Sequence, residues 1–255
     1  MQPEADLPGN LPVAAISILA LIFSWWGLAI LNGDPTVLPS PWQVFPLAVS
    51  ELVSGELLRH LVVTLRRVAL AFVIAMAMGV AIGLLMGRSS GTDRWLDPWL
   101  IVFLNLPALV VIVLCYLWIG LNEVAAVAAV AINKIPTVVV TIREGTRALD
   151  RQLNDVAAIF RMSGWARFWH IILPQLGPYI ASAGRSGISL IWKIVLVVEF
   201  LGRSDGIGFK IHLYFQLFDV GMVLAYALSF VVVMLTIEGL LVRPWEARAT
   251  RWRRA

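Results

Sequence analysis

Apolar runs of about twenty residues, separated by short charged or proline-bearing stretches, set the pattern of this chain. They fall at about 11–31, 60–87, 99–119, 124–142, 179–201 and 221–242. Each is near the length a helix needs to cross the hydrocarbon of a bilayer, so the pattern predicts six membrane spans. Between the first two lies NGDPTVLPSP, whose three prolines and glycine cannot continue a helix. Residues 42–58 then mix Trp42, Phe45, Leu47, Val49, Leu52 and Val53 with Glu51 and Glu56, the pattern of a short helix lying in the interface.

Composition agrees with the pattern. Of 255 residues 60% are hydrophobic and 14% charged, against about 25% charged in soluble domains. The expected fold is therefore an all-α, polytopic transmembrane bundle. The first run follows a decapeptide with Glu4 and Asp6 and no Lys or Arg, so it reads as a retained span rather than a signal peptide. We divide the chain into an N-terminal helix with its interfacial segment (1–58), a core of five spans (59–242) that includes a loop at 150–174, and a basic tail (243–255).

Charge supplies an orientation. If the 150–174 loop is cytoplasmic, twelve arginines lie inside (Arg88, Arg94, Arg143, Arg147, Arg151, Arg161, Arg167, Arg243, Arg248, Arg251, Arg253 and Arg254) and three cations outside (Arg59, Arg203 and Lys210). Six spans then place both termini in the cytoplasm. The same inside bias, with anionic headgroups, accounts for the net charge of +4, and no nucleic-acid partner is expected. The single cysteine, Cys115, allows no intrachain disulfide, and His60, His170 and His212 are too scattered for a metal site.

Two spans carry internal patterns. Ala71, Ala75, Gly79, Gly83 and Gly87 recur every fourth residue of the second, a stripe that lets another helix approach closely. Arg66 and Arg67, near its outer end, either snorkel to the headgroups or pair across the bundle. In the fifth span Ser182, Ser186, Ser189 and Lys193 fall within about 60° of one another at 100° per residue, one narrow polar face. Either these serines bond back to their own helix while Lys193 pairs with a distant Glu or snorkels, or the face lines a translocation path on which Lys193 attracts an anion. Glu199 lies well off that face and is a poor intrahelical partner for Lys193.

The segment DVAAIFRMSGWARFWHIILP, 155–174, is basic and aromatic. Asn154 or Asp155 can cap a first short helix, Ser163-Gly164 breaks it, and a second, 165–173, is expected to end before Pro174. Phe160, Met162, Trp165, Phe168 and Trp169 then form an exposed knob suited to docking on another protein. This segment resembles the EAA loop of permease subunits of ATP-binding-cassette importers. With Pro174 on the motif's final proline, Leu173 and Ile171 take its Leu and Ile positions. Asp155, Val156 and Ala157 then take the EAA triplet, and Arg161 the glycine. Arg161 is not glycine, so the turn is expected at Gly164, beside Trp165. The resemblance runs from about 60 to 242 and is strongest to the branch importing nitrate, taurine, other sulfonates and bicarbonate, through TLRRVALAF, FLNLPALVV and EFLGRSDGIGF.

The resemblance implies a type I importer permease in the bacterial inner membrane. It implies a homodimer, two ATPase subunits that carry ATP and Mg, and a periplasmic binding protein that selects a small anion, or a vitamin-precursor-like heterocycle as in near relatives. The residues themselves show no phosphate-binding G-x-x-x-x-G-K-[ST] loop, no nucleophile and base pair, and no site for a cofactor. No enzymatic activity is expected of this chain. An ion-driven carrier or a non-transporting scaffold is the other reading, although a carrier is expected to show repeated halves and none is seen.

Overall fold

The computed structural model describes residues 10–242. The tail arginines from Arg243 onward, and Glu4 and Asp6, lie outside the described residues. The described chain is helical. Helix α1 (Asn10–Asn32) ends at the proline-bearing segment, and α2 (Pro41–Val53) begins with a capping box in which Ser40 N donates to Gln43 Oε1 at 2.8 Å. The interfacial helix is thus shorter than the expected 42–58. A turn at Gly55, with φ of +82°, starts the next helix at Glu56.

Helix α3 (Glu56–Arg88) and α6 (Glu123–Arg147) form the centre of the bundle, with α9 (Leu173–Gly202) across them. The small-residue stripe explains the closest approach. Ala71 and Ala75 are fully buried. A Cβ added at Gly79 would lie 2.5 Å from Val138 Cβ, and one at Gly83 would lie 2.8 Å from Ile142 Cβ. Gly87 faces Thr146 in the same way. The helix that the stripe receives is α6 of the same chain.

The expected third span is not straight. Helix α4 (Ser90–Asn105) and α5 (Ala108–Ile119) meet at a bend of 98°. Pro107 excludes Leu106 from helical backbone, and Leu106 is extended at φ −72° and ψ 124°. The limbs are about 24 Å and 18 Å long, each short of the roughly 30 Å of hydrocarbon. Among the described residues five helices are long and apolar enough to cross a membrane, or six if the bent pair is one span.

The loop also departs from expectation. Helix α7 (Arg151–Ile159) is capped by Asp150, whose carboxylate accepts from Gln152 N at 2.8 Å, and not by Asn154 or Asp155, which lie inside the helix. Helix α8 (Gly164–Arg167) does not stop before Pro174. It continues through a π-turn, Phe168–Ile172, directly into α9. Leu173 N–H reaches back five residues to Phe168 O, and this shift of register accompanies the entry of Pro174, which has no N–H to donate, into the continuing helix. The result is one helical run of 39 residues, Gly164–Gly202. Helix α10 (Ile207–Gln216) packs on α9, and α11 (Val220–Ile237), followed by a π-turn at Glu238–Val242, closes against α10 and α2.

Candidate functional site

At one end of the bundle the 150–174 segment presents side chains to solvent. Ile159, Phe160 and Trp165 are each about three-quarters exposed, and Val156 and Trp169 nearly half. Asp155 is also exposed, whereas Ala157 is buried and anchors α7. Met162 and Phe168 are half-buried, so the knob is built by fewer aromatic side chains than the sequence suggests. Trp165, Phe168 and Trp169 pack on one another, with ring centroids 5.5 to 6.4 Å apart. Ile171 and Leu173 are half-buried and Pro174 exposed, while Ile172 and Leu176 carry the segment into the core.

The turn between α7 and α8 falls at Arg161, not at Gly164. Arg161 has φ of +51°, in the left-handed region, and Met162 N donates to Ala157 O at 2.9 Å, the reach of a Schellman close. Gly164 instead opens α8, after Ser163 caps it by accepting from Ala166 N. Arg161 thus takes the backbone conformation that glycine adopts most easily, at the position where the resembled motif has glycine.

The polar face of α9 is open. Ser182, Ser186, Ser189 and Lys193 are all exposed. Ser186 Oγ donates to Ala183 O and Ser189 Oγ to Ser186 O, each at 3.2 Å. Lys193 Nζ stands 5.6 Å from the ring centroid of Trp192. Arg185, exposed beside this face, was not singled out by the serine periodicity.

At the opposite end of the bundle lies a cluster that the sequence reading left largely unseen. Arg67, 1% exposed, pairs across the bundle and does not snorkel. Its Nε and Nη2 donate to Glu123 at 3.0 and 2.8 Å, and its Nη1 to Glu199 Oε1 at 2.8 Å and Asp205 O at 2.9 Å. Nη2 also bonds the Asp205 carboxylate. Arg66 is exposed and joins the same Glu123 at 3.1 Å. The second oxygen of Glu199 accepts from Thr64 Oγ1 and Gly208 N, both at 2.9 Å. Gly206, with φ of +103°, leaves no room for a Cβ beside that carboxylate and donates its N–H to His60 Nδ1 at 2.9 Å. Partial burial works against the charge of Asp205, but bonding and attraction from Arg67 prevail and hold its pKa below the usual carboxylate value. The signal available in sequence was EFLGRSDGIGF, where an acid precedes a glycine-rich turn.

Residues 79–243 match the family described as "Binding-protein-dependent transport system inner membrane component". This chain belongs to that family. As an inner-membrane transport component it is 31% identical to the "Putative aliphatic sulfonates transport permease protein SsuC" of Bacillus subtilis (strain 168), over 95% of this chain and 86% of the relative. It is 33% identical to the protein of the same description from Escherichia coli (strain K12), over 79% and 75%. Permeases described for taurine and bicarbonate are similar too, which is the branch that the sequence resembles. Among solved structures, a chain from "Crystal structure of an amino acid ABC transporter with histidines" superposes with a TM-score of 0.60 at 25% identity, over 80% of this chain and 94% of that one. The fold is therefore that of an ABC transporter permease.

Proposed function

We propose that this chain is the permease subunit of an ATP-binding-cassette importer that carries a small anion of the sulfonate class. In this reading it works as a homodimer in the bacterial inner membrane, with both termini cytoplasmic. Two separate ATPase subunits bind ATP and Mg, and a periplasmic binding protein delivers the anion. The chain itself performs no hydrolysis.

The exposed face of the 150–174 segment carries this reading. An apolar and aromatic surface at the end of a membrane bundle, stiffened by contacts between its rings and joined without a break to a span, suits a docking point for a protein whose movement must reach the membrane. The sulfonate class rests on the descriptions of the relatives and on the cationic character of the open α9 face.

The deciding experiment is expression of the tagged chain together with candidate ATPase and binding-protein subunits from the same organism. Copurification of the ATPase, and ATP-dependent uptake of a sulfonate that needs the binding protein, are the expected results. Uptake that proceeds without ATPase, or is driven by an ion gradient, would overturn the reading.

A further inference from the structure

Near mid-membrane the bundle holds a buried cation. Lys134 on α6 is 2% exposed. It lies about 17 Å along the helix from Glu123 and about 20 Å from Arg147, so it is central in its span. Among the described residues no hydrogen bond or ion pair reaches its ammonium group. A buried cation without a carboxylate is costly in a membrane and needs water or an anion.

Its surroundings are specific. A Cβ added at Gly187 of α9 would stand 3.3 Å from Lys134 Cε and 3.4 Å from a ring carbon of Phe72. Gly187 thus makes room for the lysine stem in the crease between α6 and α9. Gly145 of α6 likewise faces Tyr179 of α9. As the number rises on one helix it falls on the other, so the two run antiparallel.

That arrangement brings two polar faces together. On α6, with Asn133 at zero, Thr137 and Thr141 fall at about 40° and 80° and Lys134 at about 100°, against roughly 120° for Gly145 on the line of contact. On α9, with Ser182 at zero, Ser186 and Ser189 fall at about 40° and 340°, against roughly 140° for Gly187. Both polar sectors precede their contact line in the same angular sense. In an antiparallel pair they therefore turn to the same side of the bundle. Asn133, Thr137 and Thr141 are half-exposed there, beside the exposed serines.

We propose that Lys134, in the crease between these two faces, is the charge that receives the anionic head of the solute at mid-membrane. The proposal rests on the anion-importer reading given above. Four of the hydroxyls on these faces are already engaged. Thr137 donates to Lys134 O at 2.8 Å, Thr141 to Thr137 O at 3.0 Å, and both Ser186 and Ser189 donate to their own helix. Their protons are committed, which leaves lone pairs that suit water and not an anion. Lys193, about 9 Å further along α9, offers an exposed cation; Lys134 offers one on a side chain only 2% exposed, where attraction is less screened.

The test uses the complete complex in proteoliposomes with its binding protein, and labelled ethanesulfonate, taurine, nitrate and bicarbonate as probes. Lys134→Met is expected to lower uptake at least tenfold while assembly with the ATPase and the melting temperature are kept. In a Cys115→Ala background, Lys134→Cys should regain uptake after modification with aminoethyl methanethiosulfonate, which restores a positive charge, and not with the neutral methyl reagent. Wild-type uptake by Lys134→Met, or equal uptake after the two reagents, overturns the subsite and leaves the importer reading intact. A wild-type complex that carries none of the four probes overturns the anion reading and this subsite with it.

Discussion

Arg67 and Glu199 meet at 2.8 Å with both side chains withdrawn from solvent, joining the start of α3 to the end of α9. Removing the arginine leaves the buried Glu199 without its cation while Glu123 keeps Arg66 and Arg203, whereas neutralising Glu199 leaves Arg67 with two other acids. We expect Arg67→Ala to destabilise the protein by about 3–5 kcal/mol and Glu199→Gln by clearly less. Thermal melting in detergent reads both, and equal losses would contradict the unequal roles.

Arg161 offers a cleaner comparison. An L-residue in left-handed backbone carries a penalty of about 1–2 kcal/mol that glycine avoids. Arg161→Gly and Arg161→Ala both remove the charge, so the difference between them isolates the backbone. Slower amide exchange over α7 and α8 is expected for the glycine variant than for the alanine variant; the reverse order would place the strain elsewhere.

Gly83→Leu puts a branched side chain where α3 and α6 nearly touch. Overpacking of this kind costs about 1–3 kcal/mol or more, and we expect no stable assembled complex after detergent extraction. An unchanged elution profile would count against this contact.

Cysteine at Ser186 or Ser189 in a Cys115-free background should react with a small water-soluble thiol reagent, and Lys193→Met should depress anion uptake without releasing the ATPase. If neither cysteine is labelled in any nucleotide state, the face is a packing surface between helices.

Asp155→Lys and Trp165→Ala should leave insertion intact while lowering uptake and loosening the ATPase in pull-down assays. Full uptake in the double variant would remove the segment from the coupling route.

Much of this architecture could be read from the sequence because lipid imposes it. Apolar length alone located α1, α3, α6, α9 and α11, and four-residue spacing located the contact surface of α3. What escaped depended on partners distant in sequence. Arg67 looked able to snorkel because its acids lie 56 and 132 positions away. Pro174 looked like a helix end because a π-turn is set by bonding register, which has no composition signal. Arg161 hid the turn because the residue type is the wrong one for its backbone. Lys134 drew no attention as one cation inside a span, and only the absence of a side chain at Gly187 shows where it lies.

The run from Gly164 to Gly202 is about 58 Å of helix interrupted by no loop. Trp165 stands near one end and Glu199 near the other, so the molecule contains a lever whose handle is aromatic and whose tip grips a buried arginine. A sideways push of a few ångströms on the handle cannot be dissipated in a flexible linker. It must either bend the rod at its π-turn or swing the tip, and with it the glycine-rich turn at 203–208 that closes the far end of the bundle.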